Sequence, residues 1–279
     1  MLFMPFLSER QLKELEREGM SGIDLCGNCV VVCPGTFSVF RSGGKNRFPS
    51  SAAIKNIYRK NSSMVGRGFF VYSDFQTVQD IRTTINQQNL LVNRWNKKPM
   101  SLSTVSKVLK TMVEDLIITR TETIRLLQPD KLLEKLRENY NPPAVKKRIR
   151  LKIPENNKSI LKLLSEQSQQ LDLPLIASGT SSVTRYTVMQ RGDLLTVYCP
   201  NLEVLLEKLP GSQSDRFPNL ELLETHDGTV YFDARQEDGF WWASPLQVYM
   251  ELMVGDKRDQ ETADQLKALI LNDAGVVQQ

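Results

Sequence analysis

The chain has 279 residues, 41% hydrophobic and 24% charged, ordinary proportions for a globular protein with room for two domains. No run of about 18 apolar residues occurs, which excludes a membrane-spanning helix, and four cysteines, three of them crowded together, do not make a secreted disulfide framework. The net charge of +4 conceals an asymmetry: residues 41–150 carry 22 Lys and Arg against 8 Asp and Glu, a surplus of 14, so the remainder carries −10. A basic block of this kind is the electrostatic footprint of a polyanionic partner.

The N-terminal MLFMPFL is too short for the core of a signal peptide and runs into SERQLKELERE without a cleavage site, so a cytoplasmic location is expected. Residues 9–18 are predicted as a short charged helix, with Leu12 and Leu15 on its apolar face and Gly19 as its stop. Val30, Val31 and Val32, then Phe37, Val39 and Phe40, predict two buried strands joined at Pro34-Gly35, followed by the basic loop RSGGKNRFPS. Cys26, Cys29 and Cys33 match the last three ligands of a ferredoxin-type C-x2-C-x3-C-P run. Ile23 stands where a fourth ligand belongs, and only Cys199 is left to complete a set. Buried packing of Cys29 and Cys33 beside the valines is therefore the expectation, and no metal is assigned.

One helix or two short ones are predicted within residues 50–71, with Ile54, Ile57, Tyr58, Met64 and Val65 inward, and another over QTVQDIRTTINQQ with Val78, Ile81 and Ile85 inward. The link NLLVNRWNKKPM carries Arg94, Lys97 and Lys98 and reads equally as an extra phosphate contact or a solvated loop. In residues 101–121, Val105, Val108, Leu109, Met112, Val113 and Leu116 recur at helical spacing and predict a buried stripe. Ser103, Thr104, Ser106, Lys107, Lys110 and Thr111 fall on the other side, small hydroxyls interleaved with cations. ITRTETIRLL then predicts a hairpin carrying Arg120 and Arg125. A helix entering a basic hairpin is the layout of a winged helix-turn-helix, with the helix in the major groove of operator DNA and the wing on the neighbouring backbone.

LLQPDKLLEKLRENYN reads as a helix started by Pro129 and Asp130, with Leu132, Leu133 and Leu136 inward, and Asn141-Pro142-Pro143 ends it. The expected organisation is an N-terminal segment over 1–48, the winged helix-turn-helix over 49–143, a basic hinge over 144–152, and an α/β domain over 153–279. In that last region LPLIAS, DLLTVYCP, NLELLET and GTVYFDAR read as strands, and NNKSILKLLSEQSQQL, NLEVLLEKL and residues 244–253 and 260–271 as helices. The single histidine, His226, is expected in a surface turn. Phe240, Trp241 and Trp242 are expected as a core plug under the last two helices, in preference to a partner-binding anchor.

Three segments in order, IDLCGN with its PG turn and GGK loop, SLSTVSKVLKTMVEDLI with its hairpin, and ASPLQVYMELMVGDKRDQETADQLKALIL, resemble the AbiEi-type antitoxin and transcriptional regulator family of type IV toxin-antitoxin (abortive infection) systems. The resemblance implies an operator-binding winged helix that represses its own promoter, with Thr104, Ser106, Lys107 and Lys110 in the groove and Arg120 and Arg125 on the wing. It implies a functional partner in a nucleotidyltransferase-like toxin, without a stable complex, and no cofactor. It also implies that the N-terminal segment corresponds to strands of a degenerate restriction-endonuclease-like module, and it admits a catalytically inactive nucleotidyltransferase-like fold for the C-terminal domain.

Enzymatic alternatives lack parts. A nuclease of that fold needs two acids and a lysine around Mg²⁺; Asp24 and Lys45 are available, but residues 36–41 contain no Asp or Glu. A nucleotidyltransferase needs an acidic pair after a Gly-Ser turn; Ser178-Gly179-Thr180-Ser181 is followed by Asp193 alone. The expectation is a DNA-binding repressor without enzymatic activity. The alternatives are an inactive or residual enzyme of those kinds, or a basic module that meets RNA or protein.

Overall fold

The computed structural model describes residues 1–47, 54–92, 94, 95, 97–188 and 194–273, and it divides into two units, Met1–Ala53 and Ile54–Gln279. Asp193, and the part of the expected helix before Ile54, lie outside the described residues. The chain is mixed α/β.

In the first unit, helix α1 (Glu9–Arg17) starts at a reciprocal cap, Gln11 N–H donating to Ser8 Oγ and Ser8 N–H to Gln11 Oε1. Gly19, at φ +67°, follows its end. Leu12 and Leu15 pack with Leu7 and Val30 against one face of a sheet ordered β1 (Leu2–Met4), β2 (Gly22–Asp24), β3 (Cys29–Cys33), β4 (Phe37–Arg41). The helix sits so close that a Cβ on Gly22 would come within 2.7 Å of Leu15 Cδ1. The expectation of two buried strands fails here. A nine-residue helix covers one side of part of the sheet, so alternation buries Val30 and leaves all of β4 exposed, Phe37 at 54% and Val39 at 48%. Cys33 is exposed and Cys29 half-buried, which overturns the packing assigned to them. Among the described residues no group of His, Cys, Asp and Glu is placed to hold a metal.

The second unit opens with α2 (Lys60–Gly68), β5 (Asp74–Phe75), α3 (Val78–Gln88), α4 (Leu102–Glu114), β6 (Ile118–Arg120) and β7 (Ile124–Leu126), the strands lying in the order β5-β7-β6. Ile57 and Tyr58 are buried as expected, but in a turn before α2. Val105, Val108, Leu109 and Met112 are the buried positions of α4. Leu116, expected in the same stripe, is 65% exposed, because the helix ends at Glu114 and the chain turns through φ +59° to bring Ile117 inward instead.

Helix α5 (Pro129–Glu138) follows, and then comes a larger departure. The stretch expected as a hinge forms β8 (Lys147–Lys152), a strand within a seven-stranded mixed sheet. The order is β11 (Ser212–Gln213), β8, β12 (Leu220–Glu224), β10 (Leu195–Cys199), β9 (Ile176–Ala177), β14 (Phe240–Trp242), β13 (Arg235–Glu237). The alternation in KRIRLK is that of a half-buried strand: Ile149 and Leu151 enter the core, while Arg150 Nε and Arg148 Nη1 meet the buried Glu221 carboxylate at 2.9 and 3.5 Å. GTVYFDAR is mostly turn, with Val230, Tyr231 and Phe232 buried in it; Phe232 makes an isolated antiparallel bridge to Asn89, and the strand β13 starts only at Arg235.

Helices α6 (Asn157–Gln170) and α8 (Leu202–Leu206) share one core with the sheet, including Phe240 and Trp242, so these two are core residues apart from the last two helices, while Trp241 is half-buried against the cluster that contains those helices. The other core gathers α9 (Pro245–Met253) and α10 (Lys257–Asp273) together with the helices α2 to α5. Phe69, Met112 and Leu132 belong to the same apolar cluster as Tyr231, Phe232, Val248 and Leu266. A fragment ending at Pro154 would strip this shared core and leave β8 without β12. Such a fragment is expected to retain helical far-UV circular dichroism but lose near-UV signal and cooperative melting; a sharp melt would show that the helical part folds alone.

Candidate nucleic-acid interface

Helix α4 is held at both ends by side chains from its neighbours. Its N-cap, Ser101, accepts from Thr104 N–H at 3.1 Å, and the two hydroxyls lie 2.9 Å apart. The residue before the cap is clamped by α3: Asn86 Oδ1 accepts from Met100 N–H at 2.7 Å, and Arg82 Nε and Asn86 Nδ2 donate to Met100 O at 3.1 and 3.3 Å. At the other end Tyr58 donates its hydroxyl to Asp115, and Lys131 Nζ donates to Asp115 O at 2.8 Å. Burial, then the hydrogen bond and charge of Asp115, push the Tyr58 hydroxyl far above its ordinary pKa, so it remains a donor.

Between these anchors Ser103 and Lys110 are exposed and Ser106, Lys107 and Thr111 half-buried. Ser103, Lys107 and Lys110 follow one another at helical spacing, so they form a single polar side opposite Val105, Val108 and Met112. Lys110 Nζ stands 4.0 Å from Glu114 Oε1, a surface pair of little strength. Thr104 also lies half-buried at the start of the helix, with its hydroxyl engaged at the cap.

The hairpin does not bring its two arginines together. Arg120 is the register partner of Ile124, and Arg125 is the partner of both Thr119 and Asp74. Cross-strand partners share a face, so Arg120 and Arg125 leave opposite faces of the hairpin, both exposed, with Glu122 in the turn between them.

The link between α3 and α4 is docked on the protein at Leu90 and Lys97, while Arg94 and Lys98 stay exposed. Leu90 N–H donates to Tyr231 O and Asp233 N–H to Gln88 O, docking it on the segment before β13. Lys97 Nζ donates to His226 O at 2.6 Å and is half-buried, and this desolvation lowers its pKa. Lys97 is thus committed inside the protein. Lys98 is exposed at a recess of about 290 Å³ that it lines with Asn86, Met100, Ser101 and Thr104, and Arg94 is exposed outside that recess. Arg82 and Asn86, which set the start of α4, were not legible in advance; the helical pattern of α3 drew attention to Ile81 and Ile85 and carries no mark of what their polar neighbours reach.

The residues of the enzymatic alternatives have structural occupations. Asp24 Oδ1 accepts from Cys26 N–H and Asn28 N–H, and Oδ2 from Leu7 N–H and Asn28 Nδ2, all within 2.8 Å. Burial raises its pKa, but the Asn28 side chain and the three backbone donors outweigh that and hold it below the ordinary carboxylate value. Lys45 is exposed. Ser178 caps the short helix α7 (Gly179–Ser182), and His226 is exposed, its Nε2 hydrogen-bonded to Pro200 O at 2.7 Å. No protein-family model, curated protein or solved structure matches this chain.

Two predictions rest on this geometry. Replacing Lys97 by Met removes a charged hydrogen bond worth about 1.5–3 kcal/mol; it should lower the melting temperature yet leave the salt dependence of polyanion binding unchanged, whereas Lys98→Ala should do the reverse. Because the folded pKa of Asp24 lies below its unfolded value, its stabilisation is present above the unfolded pKa and is lost as pH falls through the folded one. The protection factors of the Cys26 and Asn28 amides should therefore fall as the solution is acidified past the unfolded pKa of about 4. In Asp24→Asn they should be low already at neutral pH.

Proposed function

We propose that this protein is a sequence-specific DNA-binding transcriptional repressor that reads duplex DNA through a winged helix-turn-helix built from α2, α3, α4 and the strands β5, β7 and β6. The observation that carries this reading is the combination of element order, helix-strand-helix-helix-hairpin, with the strand order β5-β7-β6 and an α4 whose polar, basic side is turned outward. In this reading α4 enters the major groove, the Ser103 and Ser106 hydroxyls approach base edges, and Lys107 and Lys110 hold phosphates. Only one of Arg120 and Arg125 tracks the backbone, since they leave opposite faces of the hairpin. Lys97 is not among the contacts, and Thr104 serves the cap.

The resemblance to AbiEi-type regulators supports the operator of the protein's own promoter as the target and an antitoxin role against a nucleotidyltransferase-like toxin. Placement of the basic surplus in the same half of the chain as α4 supports a polyanion as the ligand.

Anisotropy titration on the protein's own upstream region and on a scrambled duplex, at about 150 mM salt, should give tight binding to the native fragment alone. Equal weak binding to both would overturn sequence-specific reading and leave a general polyanion surface. Replacing Lys107 and Lys110 by Ala should weaken binding and reduce the slope of log affinity against log salt by about one per lysine.

A further inference from the structure

A cavity of about 230 Å³ opens between the start of α2 and the end of α5. Arg59, Lys60, Ser63 and Arg67 line it from α2, Tyr140 from beyond α5, and Asp227 from the loop before β13. Arg67 is the unusual member. It is only 3% exposed, its Nη1 donates to the neutral acceptors Gln247 Oε1 at 2.8 Å and Thr229 O at 3.4 Å, and its Nε has no hydrogen-bond partner. Among the described residues this guanidinium forms no ion pair. The charges of Asp227, Glu251 and Asp233 act on it from a distance, with none in ion-pair contact: Asp227 Oδ1 accepts from Thr229 N–H and Oγ1, and Glu251 accepts from Gly179 N–H and Gln247 Nε2.

A buried cation whose counter-charges are only remote, beside a polar cavity, favours a further anion in direct contact. The start of α2 adds to the same field. No side chain caps this nine-residue helix, so its first N–H groups favour an anion, and Lys60 stands at its first position, exposed and held at φ +53°. We propose that this cavity binds a small phosphoryl group, free or esterified, with Arg67 and Lys60 holding its oxygens and the start of α2 facing it. Arg67 is too deeply buried for a duplex backbone to reach it, so the ligand is a small molecule. The volume lies below the roughly 300–1,000 Å³ of sites for larger ligands. Gln247 joins Arg67 to α9, which places such an anion within the core shared by the helices and the large sheet.

Calorimetric titration of the full chain with inorganic phosphate, and in parallel with glycerol phosphate, tests the site. One saturable event is expected, weakened roughly tenfold in Lys60→Gly, a variant that also relieves the positive φ and so keeps the fold. Arg59→Ala should weaken it in the same direction, and the Lys107→Ala, Lys110→Ala double variant should bind as the parent does. Tighter binding of the ester assigns a phosphorylated metabolite, and tighter binding of inorganic phosphate assigns the free anion; either supports the site. Absence of saturation, unchanged binding in Lys60→Gly, or loss of binding in the α4 double variant would overturn it.

Discussion

The hydrogen bond from Arg67 to Gln247 anchors a buried polar chain on which the second unit depends. Gln247 Nε2 donates in turn to Tyr140 Oη at 3.1 Å and to Glu251 Oε1 at 2.9 Å. Glu251 also receives Gly179 N–H and the Tyr198 hydroxyl. One connected set therefore ties α2, the end of α5, the central strand β10, the start of α7 and α9. Burial opposes both charges, lowering the pKa of Arg67 and raising that of Glu251; the charges of Asp227, Glu251 and Asp233 offset that cost at Arg67, and hydrogen bonds from Gln247, Gly179 and Tyr198 offset it at Glu251. Networks of this kind are stable when every member is partnered and costly when one is missing, so the set also fixes which elements lie against each other.

That constraint bears on the helix proposed to read DNA. α4 is not a module on a tether: α3 clamps the residue before its N-cap, Tyr58 and Lys131 hold its C-terminal end, and the link preceding it is docked by Lys97 on the loop of His226. Its buried side belongs to the same apolar cluster as α9 and α10.

The first unit is organised on a smaller scale by a single carboxylate. Asp24 gathers the backbone of Leu7, Cys26 and Asn28 into one point, adding to the small core of Leu7, Leu12, Leu15 and Val30 that so short a segment can build. The apolar side chains of β4 remain exposed because α1 buries its leucines against Leu7 and Val30 and touches β4 through the Ser38 hydroxyl, which donates to Glu16.

Local pattern was sufficient for elements whose signals lie within a few residues. The extent of α1 with Gly19 as its stop, the buried Val105, Val108, Leu109 and Met112 of α4, the hairpin after it, Pro129 at the start of α5 and the helices α6, α8, α9 and α10 all follow from spacing and stop signals, because those forces act along one turn or one strand. The α/β class was legible for the same reason. What the sequence could not settle by itself is which cations are spent inside the protein. Lys97, Arg148, Arg150 and Arg67 count toward the basic block like Lys107 and Lys110, yet their partners are His226, Glu221 and Gln247, far along the chain. The same holds for the hinge that proved to be β8, and for Arg120 and Arg125, separated by cross-strand register. Composition sums charges and periodicity finds faces, but pairing between segments as far apart as Arg150 and Glu221 or Arg67 and Gln247 is decided only when the chain closes its sheet and core.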